Sequence, residues 1–408
     1  MRWIKYISVV ICLGLYGFLI SEGDDWGFFA HRLINKMAVF TLPPEMMYLY
    51  KPHLNFISAH AVDPDKRRYA SRYEAVRHYI DLDSWGGLPF DGLPRTWSAA
   101  IMKHADLYMI GEDTSWVIQG QPIYHQAYST DSVDMKVFGI DQSIASVVFR
   151  KRYSRAFLPG YYQEDWIVVV DSFCTIFDLD LVPEWKEIRV QEKLTEHGIA
   201  PYHLVAMQRK LTRFFIEGNV NLIVRTSADF GHYIGDAHVP LHTTKNYNGQ
   251  LTDQLGIHAF WESRIPELFA ENEYDFLTGK AAYIDDPVTY YWDIILRSHA
   301  LVDSVLSVEK KLSQTYPSDQ QYCFDQRLNA TVRLQCRAYA KAYESALKGM
   351  VEERMRASIQ AIGSAWYTAW IDAGQPSFGD MQTKDWGDNS EVSKSTEVID
   401  RDIIRQHE

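Results

Sequence analysis

Residues 202–238, YHLVAMQRKLTRFFIEGNVNLIVRTSADFGHYIGDAH, carry apolar side chains at helical spacing, broken only near Gly218-Asn219. That period fits two long amphipathic helices and excludes a half-buried strand, in which apolar and polar residues alternate. The same spacing recurs in WGFFAHRLINKMAVFTL, which stops at Pro43-Pro44, and in IHAFWESRIPELFA. It recurs again over the 39-residue stretch from Cys336 to Gly374, enough for two or three more helices. Strand patterns are scarce. DWIVVVDSF is the best candidate and reads equally well as buried helix. The expected fold is all-α, a multi-helix bundle.

The chain has 408 residues, 47% hydrophobic and 23% charged, which suits a globular protein with a sizeable core. Forty-one basic residues against fifty-three acidic ones give a net charge of −12. This opposes broad electrostatic capture of nucleic acid. A phosphodiester substrate stays open, because bound cations reverse the local field. Arg2 and Lys5 precede an apolar run from Tyr6 to Ile20. The run is shorter than the ~20 residues of a membrane span, so residues 1–25 read as an export signal. A secreted or periplasmic location follows, with no stable span after cleavage. Cys12 lies in that leader, leaving Cys174, Cys323 and Cys336. Cys323 and Cys336 flank a short polar loop; pairing in an oxidising compartment and free buried thiols are both open. Residues 107–183, rich in Tyr, Gly and isolated charges, carry no clear pattern, and residues 377–408 read as a mobile polar tail.

The chemistry gathers in DFGHYIGDAHVPLH. His232 and Asp236 are four apart, on one helix face, and Pro240 ends the helix so that His242 turns back. A second pair, His258 and Glu262, has the same spacing. Two such pairs suit zinc ligation by nitrogen and oxygen better than two solvated faces. Asp63 and His78 fit the same purpose, with Asp65, Asp81 and Asp83 as surface or supporting groups. His31 follows Trp26 by five residues; alone, such a His is more often a core or helix-face residue. Lys66, Arg67 and Arg68 read more readily as a solvated basic turn than as a phosphate contact, and Asn246 and Asn248 read equally as cleft-lining or loop-turn residues.

The order W-x4-H, D-x14-H, H-x3-D-A-H-x-P-L-H and H-x3-[DE] resembles the trinuclear zinc hydrolases, the superfamily of bacterial zinc-dependent phospholipase C and the S1/P1 nucleases. The motifs run from Trp26 to Glu262, and the helical remainder to residue 376 is compatible. The resemblance implies an all-α domain over residues 26–376 with zinc between helices. It implies one zinc on Asp63, His78, His232 and Asp236, and a second on His242, His258 and Glu262. A third would be held by the amine and carbonyl of Trp26, by His31 and by the shared Asp236, giving two to three ions in all. Metal-activated hydroxide would attack phosphorus, with Asp63 assisting deprotonation. His238 matches no ligand position and is expected to support or pack.

Three departures stand out. EGDD precedes Trp26 where a cleavage motif is expected. His78 and His232 lie far apart, which makes residues 107–183 an insertion. Glu262 stands where phospholipases carry Glu and nucleases Asp. The favoured substrate is therefore a phospholipid or related phosphodiester, with single-stranded nucleic acid as the alternative and a non-enzymatic zinc scaffold as the third reading.

Overall fold

A computed structural model describes residues 28–68, 71–111, 120–122, 132–137, 140–145, 148, 151–152, 167–177, 185–327 and 330–380. Residues 1–27, with the expected export signal and Trp26, and residues 381–408 of the expected tail lie outside the described residues. The first third is a run of short helices: α1 (Phe29–Ala38), α2 (Pro44–Tyr50), α3 (Leu54–Ala59), α4 (Asp63–Arg68), α5 (Arg72–Ala75) and α6 (Trp97–His104). Pro44 opens α2 where its missing N–H costs nothing.

The expected helical body is present, and the chain between Ala105 and Glu192 adds strands to it. Strands β1 (Ala105–Gly111), β2 (Gly120–Pro122), β3 (Ser132–Val137), β4 (Ile140–Ala145) and β5 (Ile167–Val169) precede helix α7 (Val170–Phe177) and strand β6 (Trp185–Glu192). An antiparallel sheet of order β2-β1-β6-β5 and a β3-β4 hairpin account for them. DWIVVVDSF is thus both things at once: β5 takes its first half and α7 its second. Alternation was hard to see because β1 and β6 pair across roughly eighty intervening residues, and only that pairing fixes which face is buried.

The core helices follow. Helix α8 (Ala200–Glu217) ends at Gly218, whose φ of 64° is the left-handed cap glycine tolerates. Helix α9 (Val220–Ala237) starts with the Asn219 side chain accepting from the Leu222 N–H at 3.2 Å. Then come α10 (Ile257–Ala259), a π-helical turn over Phe260–Arg264, α11 (Ile265–Glu273), α12 (Pro287–His299), α13 (Val302–Thr315), α14 (Arg337–Ala346) and α15 (Met350–Asp372). Between α13 and α14, strands β7 (Tyr322–Arg327) and β8 (Ala330–Gln335) form a hairpin with Cys323 and Cys336 bonded as a disulfide. Cys174 is free and buried. Among the described residues no helix is long and apolar enough to cross a membrane.

Helix α9 runs through the middle. Trp366 of α15 is fully buried and donates its indole N–H to the Ser227 carbonyl at 3.1 Å, while Tyr50 bonds the Ser227 hydroxyl at 2.8 Å and stacks on Trp366. Gln208 of α8 donates to Ala365 O at 3.0 Å and accepts from Tyr291 of α12 at 2.6 Å. Each buried polar atom therefore bridges two helices, which fixes their rotation as apolar packing alone does not.

Helices α1 and α9 approach each other closely at two glycines. A Cβ at Gly231 would sit 1.9 Å from Asn35 Oδ1, and one at Gly235 would lie 2.8 Å from Ile34 Cδ1 and 3.0 Å from His31 Nδ1. Asn35 uses the space to donate to Ala228 O at 2.9 Å. Gly231→Ala should therefore destabilise the fold. Overpacking costs roughly 1–3 kcal/mol and the lost Asn35 bond about 1 kcal/mol more, against about 1 kcal/mol of helix propensity regained. Urea unfolding measures the outcome; a midpoint at or above wild type would show that α1 does not approach α9 this closely.

Candidate metal centre

Four segments deliver the side chains. Helix α9 presents His232 and Asp236 one turn apart, and its last turn opens at Val239-Pro240 to bring His242 back beside them. Helix α1, lying on the glycine face of α9, brings His31, whose ring stacks on His232 at 4.1 Å. The segment after α5 brings His78, and it is tied to His242 twice. His242 Nδ1 donates to His78 O at 2.8 Å and Ile80 N–H donates to His242 O at 2.9 Å. Helix α10 and the π turn supply His258 and Glu262. A π turn widens the helix locally and is common at functional sites. Here it is held by Arg264, which donates to Gln335 O at 3.2 Å beside the disulfide-linked hairpin.

The donor atoms fall into linked groups. His78 Nδ1 lies 2.8 Å from Asp236 Oδ2, His232 Nε2 lies 3.2 Å from the same oxygen, and the two nitrogens are 3.1 Å apart. His258 Nε2 and His242 Nε2 lie 2.7 and 3.4 Å from Glu262 Oε2. Between the two groups, His31 Nε2 lies 3.3 Å from Asp236 Oδ1 and 3.2 Å from Glu262 Oε1. Asp236 and Glu262 thus each use one oxygen toward His31 and the other toward a histidine pair. The arrangement is a chain of three donor groups joined by two carboxylates.

These distances fit metal ions. Four N or O donors at zinc distance around a tetrahedron sit about 3.3 Å from one another. The buried His31, His78, His232, Asp236, His242, His258 and Glu262 converge at that separation, in groups able to hold metal ions. Hydrogen bonding alone does not explain the convergence. His78 Nδ1 and His232 Nε2 both face Asp236 Oδ2 and each other, and two neutral imidazoles cannot each satisfy both neighbours. The outer nitrogens match a ligand role. His242 Nδ1–H and His258 Nδ1–H are donated to backbone carbonyls, the latter to Tyr247 O at 3.2 Å. This leaves each Nε2 lone pair aimed at Glu262.

Burial also sets the protonation states. It holds His78 well below the ordinary imidazole range, with His232 adding to the effect, and it lowers His232 as well, so both stay neutral as ligation requires. Burial raises Asp236, although His242 and His31 pull it back. Burial pushes Glu262 the same way, but without a metal the protons that His242, His258 and His31 present to it prevail and hold it well below the usual carboxylate range; a metal would displace those protons and meet the Nε2 lone pairs instead.

One expected ligand stands apart from the donor groups. Asp63 does not join the cluster: it accepts from His60 Nδ1 at 2.6 Å and faces Lys66 at 3.5 Å, at the surface. Asp65 stands there instead, its Oδ1 3.7 Å from His232 Nε2 and 3.8 Å from His78 Nδ1. Residues two apart on a helix point to nearly opposite faces, so α4 cannot present both. Asp65 is buried, and so is Arg68, which it meets at 3.3 Å. Of the basic turn, Lys66 and Arg67 are exposed, although Arg67 also reaches Glu74 at 3.3 Å and Asp229 at 3.0 Å, while Arg68 is buried. Asp83 accepts from Thr244 at 2.8 Å and Lys245 N–H at 3.0 Å, bracing the loop after His242. Asn246 and Asn248 brace that loop further on. His238 donates to Ile234 O at 2.7 Å and joins no donor group. Trp26 lies outside the described residues, and Glu262 occupies a position beside His31 that the resemblance did not assign to it.

No protein-family model, curated protein or solved structure matches the chain.

The shared carboxylates set an order of effects on metal content. Asp236→Asn and Glu262→Gln should each remove more than one equivalent of metal, His258→Ala about one, and Asp63→Asn none. Asp65→Asn should weaken binding by roughly 10–100-fold. Elemental analysis after zinc reconstitution reads these directly. Equal loss from Asp63→Asn and Asp65→Asn would contradict the placement of α4.

Proposed function

We propose that the chain is a zinc-dependent phosphodiester hydrolase of the phospholipase C type, within the superfamily that also holds the S1/P1 nucleases. The observation that carries this reading is the pair of shared carboxylates. Asp236 and Glu262 each join two donor groups, whereas a structural zinc is closed by four ligands of its own. Zinc, when bound, supplies Lewis acidity toward a phosphoryl oxygen and makes water nucleophilic at neutral pH.

The protein's part is positioning. His78, His232 and Asp236 would hold one ion, His242, His258 and Glu262 a second, and His31 with the inner oxygens of Asp236 and Glu262 a third. The backbone carbonyls of His78 and Tyr247 keep His242 and His258 in one tautomer and one orientation. Asp65, oriented by Arg68 and beside the His78–His232 pair, takes the proton-accepting role that the resemblance gave Asp63. Glu262 and the net charge of −12 favour a phospholipid over a polynucleotide. The Cys323–Cys336 disulfide supports secretion or a periplasmic location.

Purified zinc-loaded protein should hydrolyse bis-p-nitrophenyl phosphate and lose that activity on chelation. Phosphatidylcholine should be turned over faster than single-stranded DNA. The opposite preference would make it a nuclease, and a zinc-replete protein inert on all three would leave a zinc-binding scaffold.

A further inference from the structure

A second site lies on the other side of Tyr233. A cavity of about 910 Å3 is lined by six cationic side chains, Arg67, Arg77, Arg95, Arg209, Lys210 and Arg213, against two carboxylates, Glu74 and Asp229. No metal-centre side chain lines it. Arg209, Lys210 and Arg213 are exposed, while the inner wall is buried. The carboxylates are already engaged: Glu74 takes bonds from Arg67, Arg77 and Tyr233, and Asp229 takes two from Arg67. Arg213 pairs with Glu217 at 3.4 Å, and the charge left on Arg95, Arg209 and Lys210 is of one sign.

Two side chains on this wall carry buried nitrogens without a hydrogen-bond partner among the described residues. His203 is 3% exposed, packs edge-on against Tyr233 at 4.5 Å, and leaves both ring nitrogens without a hydrogen bond. Arg95 bonds Pro89 O through Nη2 and lies over the Trp292 ring, but its Nη1 is buried without an acceptor. A buried donor without an acceptor is costly, and its usual resolution is an unseen ligand or water. The lining also has an apolar part, made of Trp97, Val205, Met207 and Val288.

We infer that this cavity binds a small phosphate-bearing molecule, its phosphate on Arg95, His203 and the Arg209–Lys210 rim and its organic part on the Trp97 wall. Arginine forks match phosphate oxygens two at a time, and a ligand with more than one negative charge answers the surplus. The site is separate from the proposed hydrolytic centre and does not depend on zinc.

Calorimetric titration of the full chain with inorganic phosphate tests the inference. Asp236→Asn should keep a phosphate site after its metal-dependent binding is lost. Arg209→Glu with Lys210→Glu, both exposed and tolerant of substitution, should weaken that site by about tenfold or more while leaving zinc content unchanged. Rising salt should weaken it as well. No phosphate binding by Asp236→Asn, or an isotherm unmoved by the double charge reversal, would overturn the site. Adenosine monophosphate and glycerol 3-phosphate separate a nucleotide from a lipid headgroup as the source. Either one binding more tightly than inorganic phosphate supports the apolar wall, and equal affinity for all three overturns that part.

Discussion

Two buried carboxylates govern the structure. Asp236 is 2% exposed and sits in the interior with four imidazoles within 4 Å. Removing an ionised carboxylate from water is expensive unless positive charge and hydrogen bonds meet it. Glu262 faces the same cost and is met by three imidazoles. The four segments that carry those histidines are therefore constrained together, and a shift of any one exposes an unpaired charge. A bound metal would answer the same need more completely and would couple occupancy of this candidate centre to the stability of the helices around it.

The surrounding architecture reads as the means of holding these groups still. Glycines on α9 let α1 lie close enough for His31 to reach both carboxylates. At the C-terminal end of α9, buried Arg354 donates to His238 O at 2.9 Å and to Ser298 Oγ at 2.6 Å. A cation there answers the exposed carbonyls and the negative end of the helix dipole. The π turn and the disulfide-closed hairpin do the same for Glu262. Rigid elements supply most of the donors, which suits a centre whose chemistry depends on sub-ångström placement.

Helix α9 serves two neighbourhoods at once. His232 and Asp236 belong to the metal centre, while Asp229 and Tyr233 line the basic cavity. Tyr233 touches both, packing on His78 at 5.2 Å and on His203 at 4.5 Å. Its hydroxyl is committed to Glu74, and burial holds its pKa well above the ordinary phenol range, so it stays a neutral partition between them.

The sequence by itself determined the helices and most of the donors. Apolar period and the Gly218-Asn219 break placed α8 and α9, and i,i+4 spacing put His232 with Asp236 and His258 with Glu262, because those relations are local. It left the sheet between Ala105 and Glu192 unread, since strands paired over such separations have no local mark of their buried face. Tertiary structure alone decided between Asp63 and Asp65, two acids of one motif on opposite faces of a short helix. It also decided that Glu262 reaches His31 across 231 positions and that Cys323 pairs with Cys336. Spacing along a chain fixes which side chains share a face; only packing fixes what that face meets.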